Sequence, residues 1–521
     1  MSGIGNTTKT VDASGSNFVD GVLLGGAWGS STIYYSFPAN NSVYNYTTAN
    51  TTLTSNFSAL TFQQRDVVNF ALNDFYGGSG FSAEASAGFS VEGFTNLDIV
   101  LDTTPDTTSP EQIRFGNVPS AIVSTAMVAD FPVGTDTAQL DDNGDVWFGG
   151  SGRSPTAGNY DWSIVLHEIG HALGLKHGHI TGGVSNTAIP SQWDSMEYSV
   201  MTYRSYVNDP LDGAYSNETW GYAQSFMMAD IYALQYMYGA DYSTNSGNTV
   251  YSWNPDSGDT LVNSAVGIDA GGNKIFATIW DGGGIDTYDL SAYSSNLMLD
   301  LRPGAYSYFS DDQIANLGDG NFSRGNIFNA LMFGGGTRSL IENAIGGSGD
   351  DSITGNEASN KLLGRKGADV IDGLSGNDTI RGGKGRDTID GGAGNDTLMG
   401  DGFKDKIVGG NGSDIIRGGS GNDVINGTKG DNDMMWGQAG RDSFIYRDGF
   451  GADRIMDFED DLDTIRLDDN LWAGTLTVQQ MLNQFATDTG GNIRLDFGGG
   501  DTLLIRNVAD ISMLLDDITI I

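Results

Sequence analysis

Three of the chain's four histidines fall within eleven residues, His167-Glu168-Ile169-Gly170-His171-Ala172-Leu173-Gly174-Leu175-Lys176-His177. On a helix, positions i and i+4 share one face, so His167 and His171 can offer imidazole nitrogens to a single ion. Glu168, one residue along, stands beside that ion where a general base is needed. Gly174 can end the helix cheaply in a left-handed conformation, and the turn brings His177 back as a third ligand. Three nitrogens with one vertex open describe a catalytic zinc site rather than a structural one. The chemistry expected is hydrolysis by a zinc-activated water, with Glu168 as base.

A second element lies downstream, Ser199-Val200-Met201-Thr202-Tyr203. It looks like the Met-turn of metzincin proteases, in which a methionine packs beneath the metal. The short HExxH pattern alone is weakly specific; the elongated form with Gly174, His177 and a following Met-turn is far more so.

Other elements must position these groups. Thr32–Phe37 alternates as a half-buried strand does. Thr61-Phe62-Gln63-Gln64 has the form of a capping box, opening a helix through Phe75 and Tyr76 that Gly77 closes. Strands are expected at Leu97–Leu101, Gln112–Phe115, Ala126–Phe131 and Val146–Phe148, before a metal helix capped by Asp161 or Ser163. Ser225–Tyr238 reads as an amphipathic helix with Gly239 as its stop.

From Gly346 the chain repeats every nine residues, clearest in Gly382-Gly383-Lys384-Gly385-Arg386-Asp387-Thr388-Ile389-Asp390 and the unit after it. The pattern GGxGxDxUx builds a calcium-binding parallel β-roll. Glycines allow the tight turn, aspartate gives the hard oxygen calcium prefers, and the apolar eighth residue points inward. Expected calcium ligands are Asp351, Asp369, Asp378, Asp387, Asp396, Asp414 and Asp423, with Asp405, Asp433 and Asp442 in less regular units. Asn360 stands where Asp is expected and Phe403 replaces a turn glycine, so calcium is doubtful at those two turns. Trp280-Asp281-Gly282-Gly283-Gly284-Ile285-Asp286 is a further acid-and-glycine loop suited to calcium through Asp281 and Asp286, with Glu342 another candidate; an acidic hairpin turn is the plainer alternative.

Length and composition bound the rest. A chain of 521 residues with 66 acidic and 26 basic side chains, net charge −40, is repelled by phosphate backbones, which argues against nucleic-acid partners. It has no cysteine, so calcium must replace disulfides as the staple. No run of eighteen apolar residues suggests a membrane span, and the first twenty residues lack a secretory signal pattern.

These motifs together resemble the serralysins, secreted bacterial zinc proteases of the metzincin group. Tyr35-Ser36-Phe37-Pro38, the histidine helix, the Met-turn, Tyr238-Gly239-Ala240, the Trp280 loop and Glu342 through the repeats carry the likeness. The resemblance implies one catalytic zinc held by His167, His171, His177 and Tyr203, with Tyr203 hydrogen-bonding the transition state and Met201 beneath. It implies several structural calcium ions, protein substrates, a monomer, and secretion by a type I apparatus that reads the C-terminus. The expected architecture is two-domain: an N-terminal α/β metzincin protease domain, and a C-terminal all-β parallel roll with β-sandwich-like flanks. The boundaries read as a flexible, propeptide-like segment at 1–25, protease at 26–240, a β-rich connection at 241–345, the roll at 346–443 and a C-terminal β region with the secretion signal at 444–521. The chain departs from the family between 179 and 222, in a loop with Trp193 and added length at 208–220. A calcium-dependent adhesin with a decayed protease domain is disfavoured by the intact histidines and Glu168. A carbohydrate-modifying enzyme is disfavoured because no second paired-carboxylate site is evident.

Overall fold

The computed structural model describes residues 7–44, 51–73, 83–105, 112–128, 144–211, 215–430 and 432–521. It divides into two units, 1–286 with 303–340, and 287–302 with 341–521. This cuts across the expected connecting region. Residues 287–302 join the roll, where Thr287–Asp289 and Met298–Asp300 pair in parallel with Asn343–Ile345 and Ser352–Thr354, while 303–340 folds with the histidine motif.

In the first unit a five-stranded sheet forms, its strands Ile113–Asn117 and Val146–Phe148 buried throughout and Thr32–Ser36 alternating in burial. Its order is Asp98–Asp102, Thr32–Ser36, Ile113–Asn117, Val146–Phe148 and Ala126–Val128. The last strand is the antiparallel edge, with Ala126 opposite Phe148. Thr61 and Gln64 form the expected reciprocal cap, and the helix they open spans Phe62–Leu72; Phe75, Tyr76, Gly77 and the strand positions beyond Val128 lie outside the described residues.

The motif helix runs Tyr160–Ala172. Its cap is Asn159, whose side chain accepts from Trp162 N at 2.8 Å, not Asp161 or Ser163. Asp161 instead accepts from Gly152 N and Ser154 N, fixing the loop before the helix. Two tryptophans brace the helix: Trp162 Nε1 donates to Gln224 O and Trp28 Nε1 to Ala172 O. The second helix covers Met228–Tyr238, stopped by Gly239 at φ +86°.

The expectation of a flexible segment at 1–25 fails for its described part. Thr8–Thr10 pairs with Gly26–Trp28, Asn17–Asp20 is helical, and Val19, Val22 and Leu23 are buried. A few apolar residues in a polar stretch suffice, because Lys176 N donates to Val22 O and the Lys176 ammonium donates to Gly21 O, Ile180 O and Thr187 O. The segment is thereby locked to the loop that carries His177.

The second unit is a parallel roll of two facing sheets. One apolar column runs Leu362, Ile380, Leu398, Ile416, Met435, Ile455 and Ile505; the other runs Ile353, Ile371, Ile389, Ile407, Ile425, Phe444, Ile465 and Ile518. All are buried. The columns continue past residue 443, so most of 444–521 extends the roll instead of forming a separate flank. The helix Val478–Phe485 and the antiparallel strands Ala486–Asp488 and Asn492–Gly498, the latter paired with Asp501–Arg506, interrupt the parallel pattern.

Candidate metal centres

The histidine site is assembled from the motif helix and two loops. His167 Nδ1 lies 2.7 Å from Val200 O, and His171 Nδ1 lies 2.8 Å from Leu175 O. A carbonyl can only accept, so each Nδ1 carries the proton and each Nε2 presents a lone pair. Those lone pairs converge: His171 Nε2 and His177 Nε2 are 3.0 Å apart, and His177 Nε2 and His167 Nε2 are 3.2 Å apart. Ligands about 2.05 Å from a tetrahedral zinc sit about 3.3 Å from one another, so the trio fits that ion. Burial pushes the His167 imidazole down to about 4 and that of His177 to about 3, and holds His171 well below its usual value. All three imidazoles are thus held neutral, the form in which they could bind a metal.

Gly170 and Gly174 make this geometry possible. A Cβ on Gly170 would meet Met201 Sδ at 2.5 Å, so the methionine packs directly against the helix between the two ligands. Gly174 has φ +104°, and a Cβ there would meet Gly26 O at 2.4 Å.

Glu168 is buried beside His167, and desolvation pushes its carboxyl up to about 8. It faces a cavity of about 320 Å³ bounded by Thr125, Ala126, Tyr160, Ile164, His167, Tyr203 and Tyr215. Tyr203 stands against two ligand rings, with centroids 4.5 Å from His177 and 5.7 Å from His167. Tyr215 comes from the long loop at 208–220 and is anchored by its hydroxyl donating to Thr202 O at 2.5 Å. Tyr215 therefore walls the cavity.

One organiser lay beyond sequence reasoning. Asp230, buried in the second helix, accepts from Ser199 Oγ at 2.6 Å, Val200 N at 2.8 Å and Met227 N at 3.1 Å. Through Val200, whose carbonyl accepts from His167, it holds the methionine turn and a ligand together. An acidic residue at the third position of a helix is a capping signal, but nothing local names the turn it reaches.

The carboxylate sites follow another logic. Each repeat aspartate accepts through Oδ1 from the backbone N–H of its counterpart one coil earlier: Asp351 to Asp369, Asp369 to Asp387, Asp387 to Asp405, Asp405 to Asp423 and Asp423 to Asp442, all at 2.8–2.9 Å. A second ladder links Asp378, Asp396, Asp414 and Asp433 at 2.8 Å. The Oδ2 atoms of Asp369, Asp378, Asp387, Asp396, Asp405, Asp414, Asp423 and Asp442 are buried without a hydrogen-bond partner. Orphaned carboxylate oxygens between glycine turns are what a calcium ion would satisfy. Burial raises these carboxyls, Asp369 and Asp378 to about 7 and Asp405 to about 8.

The two doubtful turns part company. Asp405 keeps full ladder geometry despite Phe403 two residues before it. Asn360 does not leave an orphan: its Nδ2 donates to Glu342 O and Asn356 Oδ1, at 2.8 and 2.9 Å, and its Oδ1 accepts from Asn356 N. The amide fills the turn with its own hydrogen bonds. Asp453 and Asp463 continue the two ladders, receiving Asp433 N and Asp442 N. Gly449-Phe450-Gly451-Ala452-Asp453-Arg454-Ile455 keeps most of the repeat out of its nine-residue spacing, whereas Asp463-Thr464-Ile465 retains only the D-x-U half.

Asp281 and Asp286 lie together in the first unit. Asp281 accepts from Gly283 N and Tyr251 OH, and Asp286 from Thr249 N. Burial, and for Asp281 also the neighbouring Asp286, raises both carboxyls, which suits a shared cation. Asn248, whose Oδ1 accepts from Ile285 N, and Thr249 are parts of this loop that sequence reasoning missed. Glu342 belongs to the other unit and is half-buried.

Comparison with known proteins agrees with the motifs. The RTX calcium-binding nonapeptide repeat matches overlapping stretches between 345 and 444. Metalloprotease AprA of Pseudomonas entomophila is 33% identical over 211 residues, 40% of this chain and 39% of that protein. Metallopeptidase AprA of Pseudomonas marginalis is 31% identical over 300 residues, 55% of this chain and 57% of that protein. Serralysin of Proteus mirabilis is 34% identical over 256 residues, 48% of this chain and 47% of that protein. The chain thus spans about half the length of these relatives. Among solved structures, the extracellular lipase LipA of Serratia marcescens aligns over 34% of this chain and 39% of its own at 16% identity, with a TM-score of 0.18, too low to bear on the fold. The chain resembles serralysin-type metalloproteases in named relatives as well as in motif.

Proposed function

We propose that this chain is a secreted, calcium-stabilised zinc endopeptidase of the serralysin type, with an α/β metzincin fold in its first unit. The single observation that carries this reading is the convergence of three imidazole Nε2 atoms, two of them buried, beside a buried carboxyl that opens on a cavity. Zinc bound there would polarise a peptide carbonyl and acidify a water. Glu168 takes the proton from that water and passes it to the leaving amine; a base held near neutrality is suited to both transfers. Tyr203 donates to the oxygen on which negative charge develops. An extended substrate adds to the exposed edge Ala126–Val128 by backbone hydrogen bonds, and its side chains meet Tyr160, Ile164 and Tyr215. The aspartate ladders hold structural calcium at Asp351, Asp369, Asp378, Asp387, Asp396, Asp405, Asp414 and Asp423; Asp281 and Asp286 hold a further ion in the first unit, and Glu342 is a separate candidate calcium ligand in the second. The protein acts as a monomer outside the cell, exported by a type I apparatus. Among the described residues no helix is long and apolar enough to cross a membrane.

The test is metal analysis and casein hydrolysis on one preparation of wild type and Glu168→Ala. One zinc per chain in both, with hydrolysis about 10²–10⁴-fold slower in the variant, is the expected result. Zinc-free, undenatured wild type, or a variant of near-normal rate, overturns the reading.

A further inference from the structure

The roll's two edges differ in charge, and calcium binding does not explain why. Turns 364–369, 382–387 and 400–405, which follow strands Lys361–Lys366, Thr379–Lys384 and Thr397–Gly402, carry Arg365, Lys366, Lys384, Arg386 and Lys404. The turns on the opposite edge, at 373–378, 391–396 and 409–414, carry amides and hydroxyls instead. There Asn395 N donates to Asn377 Oδ1 and Ser413 N to Asn395 Oδ1. Residues 361–417 hold nine of the chain's 26 basic side chains, against three acidic ones outside the ladders, Asp372, Asp390 and Asp401. In a chain of net charge −40 this is a local concentration of basic side chains, which offsets the buried ladder carboxylates and leaves the exposed edge basic. Positive side chains beside a cation site oppose that cation, so their placement serves something else.

The basic edge borders a groove of about 480 Å³. Gly382, Gly383 and Gly402 leave its floor without side chains, and Arg365, Arg381, Lys384 and Asp401 stand around it. Arg381 pairs with Asp401 and Arg365 donates to Ser291 O at 2.8 Å, while all three basic side chains, Arg365, Arg381 and Lys384, are exposed. Along the adjoining sheet surface, register sets Leu363, Arg381, Met399, Arg417 and Trp436 in one row. Arg417 lies over the Trp436 ring, 4.8 Å from its centroid. Apolar platforms thus alternate with guanidiniums at the strand spacing of about 4.8 Å.

We propose that this edge and groove bind a linear acidic polysaccharide, one bearing uronate carboxylates. Sugar rings lie on the glycine floor and the Met399 and Trp436 platforms. Arg365, Arg381 and Lys384 meet the carboxylates, guanidinium matching carboxylate in two-point fashion, and Asp401 accepts from ring hydroxyls. A nucleic-acid duplex fits less well, because the rest of the protein repels a dense polyanion. The proposal stands apart from the reading of the histidine site.

Fluorescence anisotropy of a labelled oligogalacturonate with the full chain in calcium-replete buffer tests it. A neutral dextran fragment and a DNA duplex serve as the other probes. Binding of the uronate, weakened by salt and weakened at least tenfold by Lys384→Glu with Arg386→Glu, is expected; Asn411→Glu on the opposite edge should leave it unchanged. Circular dichroism in calcium shows whether the charge-reversed chain keeps its strands, and a variant that unfolds is replaced by Lys384→Gln with Arg386→Gln, for which the same weakening is required. Uronate binding absent, equal to that of dextran, weaker than that of the duplex, or insensitive to the basic-edge variants overturns the proposal.

Discussion

The histidine site and the aspartate ladders both gather metal-binding side chains, but they are built in opposite ways. The first occurs once, and distant segments hold it: Asp230 grips the turn beneath His167, while Lys176 pins the His177 loop to residue 21. The second is the same contact copied coil after coil, each aspartate bound to the backbone of the coil before. A site held by distant supports should fail all at once when one support goes. A copied site should fail by increments, unless the ion common to every copy is withdrawn.

Withdrawing calcium is therefore the largest test. Chelation at pH 7.5 should abolish the strand signal of the second unit, because carboxylates raised by burial must then ionise without counter-ions. The sign follows from linkage. Folded carboxyls at about 6, 7 and 8 (Asp387, Asp369, Asp405) exceed an unfolded value of about 3.9, so the folded state binds more protons. Its stability is greatest below about pH 4 and falls as pH rises through 6–8. Acidifying the chelated protein from pH 7.5 to 5 should restore strand ellipticity; a chelated roll equally folded at both values would contradict the ladder reading.

Next in size is Asp230→Ala. It strips three hydrogen-bond donors of their acceptor in a buried site, and loss of such outer supports commonly costs 10–100-fold in metal affinity or activity. Competition with a chromophoric chelator should show that loss for zinc while calcium-dependent ellipticity is unchanged. Zinc affinity equal to wild type would mean that the turn holds without Asp230.

The smallest effect is expected from Asn360→Asp, which turns a self-satisfied turn into a copy of its neighbours. Calcium stoichiometry should rise by one, and the chelated protein should lose stability. An unchanged stoichiometry would show that the turn cannot accept an ion whatever its side chain.

Legibility in the sequence tracked the same contrast. Periodicity exposed the ladder residue by residue, down to the substitution at Asn360, and failed where the nine-residue spacing is lost, at Asp453 and Asp463. The histidine motif named its ligands, yet spacing could not reveal Asp230, which reaches Val200 from thirty residues away, or Tyr215, which depends on how a loop of irregular backbone folds back. Residues 8–24 misled for a compositional reason. They are small and polar, but three or four apolar side chains and a buried ammonium suffice to dock them. The helix cap was displaced from Asp161 to Asn159 because Asp161 is engaged by the preceding loop.

Asn360 gives the stack of coils a direction. Its amide closes one turn near residue 355 by internal contacts, so that end can stay ordered when the ion is scarce, while units further along come loose. A chain of near-identical units that touch only their neighbours frays from its weakest terminus. A pre-formed end offers a template on which returning ions can rebuild the rest in sequence, sparing each new coil the nucleation step.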